Sequence, residues 1–557
     1  MKTIALQNCG MDKDSFAILM HTAHRVLSLR ALACTEGEGE YTVTLAVDPT
    51  LQNDRFVIRA AENGAAISAA NDPALHAAFG RLLRESKFDG RGGFVPPKTD
   101  TVIDFTPKSL LRGMYFATHF GNFYHHAPIE SVYEVVEDLA LNGCNSLLVW
   151  FDMHHFTSMQ DPNAQSLVKR LHAILRYANA IGMGGSLTML ANESFADSPE
   201  HLRASWRVQN GYHDPLVGHF HIEICPSSEE GIAEILRMRR EMLSYFSDLR
   251  IDYVVYWPYD QGGCTCEKCA PWGSNGFLKL LPHFRALVRE MMPNTEIVIS
   301  TWFLDRFTDG EWDGFYQAMK TDLFSDVRYV LSFFEKGVLP KCIAEEGVPE
   351  GIEFIDFPEI SMYSCMPWGG YGASHLAAFL DETNRNSGHL YRGGFPYSEG
   401  IFEDANKFIS LMYYSGEYEN AFDALRAYVR KEFCCDDEAL YEAIKRTETA
   451  LARDRKEGDY TRAVILDPSD TEFVYDMLSY YRELLPEQIA NSRSFRLYYL
   501  RAVIDYEMVR CDGYPARSER CKAAMRELCE IYGATVETHR WVRPFIGPWC
   551  DGEEAQK

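Results

Sequence analysis

The chain is predicted to be an α/β protein centred on a (β/α)8 TIM barrel, with a small α/β domain before the barrel and a helical domain after it. Three observations predict this. Short apolar runs alternate with amphipathic helical segments from Leu110 onward, eight such runs occur before Asn406, and long helical stretches without strands follow. Eight strand–helix units over roughly 290 residues match the expected size of such a barrel. A doubly wound open sheet is the competing architecture, but no glycine-rich dinucleotide fingerprint follows any run.

The elements follow in order. Residues 13–33 look helical, and Tyr41, Val43, Leu45 and Val47 then alternate with polar or small partners, as in a half-buried strand. Arg55 to Ala60 turns at Glu62-Asn63-Gly64 into Ala65 to Ala69, a hairpin pattern. Asp72-Pro73 opens a helix carrying Leu75, Ala78, Phe79, Leu82 and Leu83 on one face. These make up a small domain over residues 1–107. The barrel strands are expected at Arg112–Thr118, Ser146–Asp152, Gly185–Ala191, Tyr253–Tyr259, Glu296–Trp302, Arg328–Glu335, Glu353–Pro358 and His389–Pro396. They place the barrel over residues 108–405, with an extra strand at His219–Cys225 inside the third loop. Helical patterns such as Phe473 to Leu485 and Phe495 to Arg510 assign residues 406–557 to a helical domain.

Composition narrows the function. At 557 residues the chain is long enough for two or three domains. Fifty-five basic against 80 acidic residues give a formal charge of −25, which repels nucleic acid and anionic membrane; neither is expected as a partner. No window holds ~18 consecutive apolar residues, so no membrane span is read. The first 33 residues include Asp12 and Asp14 and offer no apolar leader, so no signal peptide is read. Fifteen scattered cysteines, an odd number, suit a reducing compartment, and a cytoplasmic location is expected. Self-association as a homodimer is left open.

A barrel of this kind does its chemistry at the C-terminal ends of its strands, where the loops converge on one mouth. Those ends carry His119, Asp152, Glu193, Asp260-Gln261, Trp302, Glu335, Glu359 and Glu399 in turn. One carboxylate at a strand end can simply be solvated or cap a helix. Together, however, Glu193, Asp260, Glu335, Glu359 and Glu399 would face a mouth that also receives Trp150, Trp257, Trp302 and Trp368. Aromatic faces stack on sugar rings, carboxylates and His hold hydroxyls, and glycoside hydrolysis needs two carboxyl groups, one protonated and one ionised. Crowding raises some carboxyl pKa values and so supplies an acid near neutral pH. A divalent cation is the rival use of such a cluster.

Several segments also resemble known families. The small domain, with its Arg55–Ala69 hairpin and the helix from Asp72 to Leu83, resembles the domain preceding the barrel in family 20 hexosaminidases and family 67 α-glucuronidases. LLRGMYFATHFG (Leu110–Gly121) looks like the first strand of those barrels. YWPYDQGGCTCEKC (Tyr256–Cys269) and FPYSEGIFEDANK (Phe395–Lys407) look like a branch of related glycosidase-like proteins. Family 20 enzymes place an Asp-Glu pair after the fourth strand, the Glu as acid and the Asp steadying an acetamido group. The matching positions here are Asp260 and Gln261, and a Gln cannot donate that proton. The α-glucuronidases place carboxylates after the sixth and seventh strands, matching Glu335 and Glu359. The resemblance therefore implies Asp260 as acid, Glu335 and Glu359 on the base side, and Glu399 on a sugar hydroxyl. Glu403 and Asp404 are expected to cap the following helix.

Cys264, Cys266 and Cys269 form C-x-C-x-x-C after the fourth strand, and Cys225 lies in the preceding loop. Four such thiolates can share a tetrahedral zinc, and reduced thiols packing a loop are the alternative. The expectation is a glycoside hydrolase that removes a terminal uronic acid, hexosamine or hexose from an oligosaccharide or glycoside without a catalytic cofactor. A non-hydrolytic sugar-binding barrel and a metal-dependent hydrolase are the alternatives.

Overall fold

A computed structural model of the chain describes residues 3–119, 122–214, 222–260, 263–361, 372–450, 453–455, 463–465, 468–512 and 517–533. The N-terminal sheet holds β1 (Thr3–Asn8), β2 (Ala33–Glu36), β3 (Tyr41–Val47), β4 (Phe56–Ala61), β5 (Gly64–Ala69) and β8 (Val102–Phe105), in the order β2-β1-β3-β5-β4-β8. A two-stranded pair, β6 (Lys87–Phe88) and β7 (Phe94–Val95), lies between β5 and β8 in sequence. The hairpin forms as the sequence indicated, with β4 and β5 antiparallel from Phe56↔Ala69 to Ala61↔Gly64. The first helix is shorter than expected, Lys13–Ser28, and starts where the Asp12 carboxylate accepts from the Asp14 and Ser15 amides. Ala31, in the left-handed region at φ 57°, turns the chain into β2. The second helix, Asp72–Glu85, is capped by Asn71, whose side chain accepts from the Ala74 amide.

Eight parallel strands close the barrel: β9 (Leu111–Phe116), β10 (Ser146–Trp150), β11 (Gly184–Leu190), β12 (Ile251–Trp257), β13 (Glu296–Ser300), β14 (Val327–Ser332), β15 (Phe354–Asp356) and β16 (Tyr391–Gly394). Pairing of β9 with β10, Gly113↔Ser146 to Phe116↔Val149, completes the ring. A helix follows each strand, from Ile129–Leu141 after β9 to Asp404–Ser415 after β16. The eighth strand breaks at Phe395-Pro396 and resumes as β17 (Tyr397–Ser398), which pairs with Tyr115 and Phe116 of β9. Of the expected extra strand, residues 219–221 lie outside the described residues, and the rest makes two isolated antiparallel bridges, Glu223↔Glu193 and Ile224↔Arg203.

Alternation along the strands sorts the side chains into two cores. Tyr115, Leu148, Trp150, Val255, Trp257, Val298, Leu331, Phe357 and Tyr397 pack on one another inside the ring. Their neighbours in sequence, such as Phe116, Val149, Val254 and Tyr256, face the helices. Gly113 is required for close approach, because a Cβ there would stand 2.3 Å from the Phe395 ring. Buried charges staple the sheet domain to the barrel: Arg112 of β9 meets Asp54 at 2.6 Å, and Arg84 meets Glu417 at 2.8 Å.

The C-terminal helices, among them Ala421–Phe433, Thr471–Leu484, Arg493–Arg510 and Glu519–Ile531, pack beside the eighth unit. They are interrupted by an antiparallel pair, β18 (Arg453–Arg455) and β19 (Ala463–Ile465), where only helix was expected. No helix among the described residues is long and apolar enough to cross a membrane.

Candidate active site

The strand ends build the site from a floor of two tyrosines. Tyr115 of β9 and Tyr397 of β17 stack with ring centroids 5.2 Å apart, both buried. Burial, then the charges of Asp152, Asp260 and Glu193, raises the Tyr115 hydroxyl well above its ordinary pKa. Burial, then Glu399, Glu359, Tyr115 and Asp260, does the same for Tyr397. Both hydroxyls therefore stay protonated, and between them they feel five carboxyl groups supplied by the ends of five different strands. His119 closes the floor, its Nε2 3.3 Å from the Tyr115 hydroxyl and its ring edge-on to Trp150 at 4.9 Å. Burial, then the nearby His125, His154 and His155, lowers the His119 pKa well below its usual value and keeps the ring neutral.

On the β10–β11 side, Glu193 is the hub. Its carboxylate accepts from Trp150 Nε1 at 3.3 Å and from the His154 amide at 3.4 Å, and it lies 2.8 Å from His154 Nδ1. Its carbonyl accepts from Arg239, a buried guanidinium on helix Glu229–Ser244. Asp152 and Glu223 lie close enough to feel its charge. Burial, reinforced by the Glu193 charge, pushes both well above the usual carboxylate range. Asp152 Oδ2 is 3.3 Å from His155 Nε2, and Glu223 Oε2 has no hydrogen-bond partner among the described residues.

On the opposite side, Asp260 accepts from Trp302 Nε1 at 3.1 Å. Trp302 belongs to an aromatic wall with Trp257, at 5.9 Å, and Phe357, at 5.6 Å. Glu359 accepts from Ser361, Oγ at 2.8 Å and amide at 3.2 Å, and bridges in register with Tyr397. Glu399 is buried, with the Tyr397 hydroxyl 3.4 Å from its Oε1. Glu403 occupies the N-cap position of the following helix, its carbonyl accepting from the Asn406 and Lys407 amides, but its side chain makes no cap hydrogen bond there. It accepts from the Glu399 and Gly400 amides at 2.6 Å each and from Ser398 Oγ at 2.8 Å, and so fixes the turn that presents Glu399. Asp404 occupies the first turn of that helix and pairs with Lys407 at 2.6 Å.

The structure thus gathers Trp150, Asp152, Glu193, Trp257, Asp260, Trp302, Glu359, Glu399 and His119 around the tyrosine pair. Glu335 is placed differently: it follows β14 on an exposed 3-10 turn, Glu335–Gly337, with Lys336 at φ 51°. Gln261 and Trp368 lie outside the described residues. Glu223, His154 and the two floor tyrosines were given no role by sequence reasoning. For Glu223 a signal existed, a carboxylate framed by apolar neighbours in His221-Ile222-Glu223-Ile224-Cys225. The four cysteines Cys225, Cys264, Cys266 and Cys269 meet beside this mouth.

Such a site can do acid–base work. Carboxyls held protonated by burial donate, ionised ones accept, and the indole wall offers faces to apolar sugar CH groups.

No protein-family model and no curated protein matches the chain. Solved structures do resemble it. A family 89 glycoside hydrolase from Clostridium perfringens, in complex with its substrate GlcNAc-α-1,4-galactose, superposes with a TM-score of 0.61 at 12% identity over 93% of this chain. The match spans 64% of that enzyme, so this chain corresponds to somewhat under two thirds of its length. A family 115 4-O-methyl-α-glucuronidase with specificity for decorated arabinogalactans gives 0.60 at 10% identity, over 100% of this chain and 80% of that one. A family 20 β-N-acetylhexosaminidase from Streptomyces coelicolor A3(2) gives 0.52 at 10% identity, over 78% and 92%. These neighbours are all glycoside hydrolases, as the resemblance implied, and at this identity the likeness establishes the shared barrel fold.

Proposed function

We propose that the chain is a glycoside hydrolase that removes a terminal sugar from an oligosaccharide or glycoside by carboxyl acid–base chemistry, with no cofactor in the catalytic step. The observation that carries this reading is the convergence of Asp152, Glu193, Asp260, Glu359 and Glu399 on the stacked Tyr115–Tyr397 floor, beside a wall of indoles. Asp260 and Glu359 act on Tyr397 from separate strands and form the proposed pair, Asp260 as proton donor and Glu359 on the base side. Glu335, on the neighbouring strand's exposed turn, is the second base-side candidate at the rim. His119, Trp150, Asp152, Glu193, Trp257, Trp302 and Glu399 hold the sugar, with Gln261 and Trp368 assigned to the same role from sequence. The terminal sugar is a uronic acid, a hexosamine or a hexose.

A panel of nitrophenyl glycosides tests the reading. Turnover of at least one sugar is expected, falling by about 10²–10⁴-fold in Glu359→Gln with the fold unchanged. Sugar binding without turnover across the panel would instead mark a non-hydrolytic sugar-binding barrel. Asp152, His154 and His155, whose ligand atoms lie within 4.8 Å of one another, favour metal-dependent hydrolysis as a second reading. Loss of activity in chelator and its return with a divalent cation would select that reading.

A further inference from the structure

Cys225 ends the long loop after β11, whereas Cys264, Cys266 and Cys269 lie in the loop after β12. The fold brings their sulfurs to one point. Cys225 Sγ is 3.5 Å from Cys264 Sγ, 3.7 Å from Cys266 Sγ and 3.9 Å from Cys269 Sγ, and all four lie within 4.8 Å of one another. All are free cysteines, and a disulfide would need a separation of about 2.05 Å. Four thiolates around one ion at about 2.3 Å stand about 3.8 Å apart along the edges of a tetrahedron. The three separations from Cys225 straddle that value.

Hydrogen-bond donors face two of the four sulfurs. The Ser227 amide is directed at Cys225 and the Cys266 amide at Cys264, and the Ser227 hydroxyl lies 3.2 Å from Cys225 Sγ. Cys264 and Cys269 are fully buried, whereas Cys225 and Cys266 are half-buried and leave one side for an ion to enter. A purely thiolate, tetrahedral set selects zinc among the common divalent ions and leaves no open position for a substrate.

The geometry points to a structural zinc site, formed by the thiolates of Cys225, Cys264, Cys266 and Cys269, that cross-links the loops after the third and fourth barrel strands at the mouth. Those loops are already stitched together. The Asn192 side chain donates to the Ile224 and Gly263 carbonyls at 3.0 Å each, and the Thr265 amide donates to Ser205 at 2.6 Å. The ion adds a cross-link that does not depend on hydrogen bonds, between the loop that presents Glu223 and the one that carries Asp260. Each thiol gives up its proton to the solvent as the ion binds, so uptake releases acid. The site stands apart from the hydrolase reading, because it requires nothing of the carboxylates.

The 557-residue chain, purified in reductant without chelator, decides the matter by elemental analysis. About one zinc per chain is expected, released on titration with an organomercurial and replaceable by cobalt(II) with the visible bands of a tetrahedral thiolate complex. Cys266→Ser is expected to lose the zinc on gel filtration in chelator, and Cys9→Ser, an exposed cysteine outside the cluster, to keep it. A folded protein that carries no zinc and takes up no cobalt, or one that carries iron in its place, would overturn the assignment. Equal loss of zinc from Cys9→Ser and Cys266→Ser would overturn it as well. Metal content of the unmodified chain is read whether or not a variant folds.

Discussion

Replacing Asp152 by Asn is expected to make the protein more stable as pH rises, relative to the unmodified chain. Asp152 is 1% exposed and sits beside the Glu193 charge; burial first, and that charge second, hold its folded-state pKa well above the ordinary value. The folded state thus binds a proton that the unfolded chain releases at a pH of about 4. For a raised carboxyl the stabilising contribution is complete below the unfolded pKa and is lost as pH climbs toward the folded one. The loss runs at about 1.4 kcal/mol per pH unit while the two states differ by one proton. Asn mimics the protonated carboxyl in shape and never ionises, so the variant escapes the loss. Urea unfolding of both proteins at half-unit steps from pH 5 to 8.5 gives the two curves. They should diverge with pH in favour of Asp152→Asn; parallel curves over the whole range would refute the assignment of a protonated Asp152.

Three further outcomes follow from the geometry. Arg112→Met removes the buried partner of Asp54 and the donor to the Gly143 and Ser109 carbonyls, and should cost about 3–5 kcal/mol in urea unfolding. Gly80→Ala would set a Cβ 1.8 Å from the Leu141 carbonyl, where the sheet domain's helix meets the first barrel helix, so a loss of about 1–3 kcal/mol or more is expected, read as a lower melting temperature. Trp302→Ala removes both the donor to Asp260 and part of the indole wall, and is expected to weaken sugar binding by about tenfold or more, measured by calorimetry.

Much of the barrel was legible because its strands are short, mainly apolar runs. Ser146–Trp150 and Gly184–Leu190 are buried at every position, as parallel strands covered on both faces must be. β1 was not legible: Thr-Ile-Ala-Leu-Gln-Asn is a brief run at the chain start, and only pairing with β2 and β3 makes it a central strand. The helix reading ran on to Ala33, the first residue of β2, and left the rest of that strand unread, because the left-handed turn at Ala31 carries no glycine to announce it. In the site, the rule that strand ends face the mouth located the carboxylates without their environments. Glu399 and Glu335 both follow barrel strands, yet Glu403 folds a tight turn that buries the first, and a turn with Lys336 at positive φ leaves the second exposed. The tyrosine floor was hidden because Tyr115 and Tyr397 read as ordinary inward apolar positions; only coordinates show what their hydroxyls face. The cysteine spacing was legible because four sulfurs on two adjacent loops leave few other arrangements.

The most direct test of the central claim compares turnover with binding in Asp260→Asn and Glu359→Gln. Each substitution keeps the side chain's size and removes its ability to ionise. The account predicts that both variants still bind the hydrolysed sugar with an affinity near that of the unmodified chain, while kcat falls by about 10²–10⁴-fold. Unchanged kcat in both variants would contradict it.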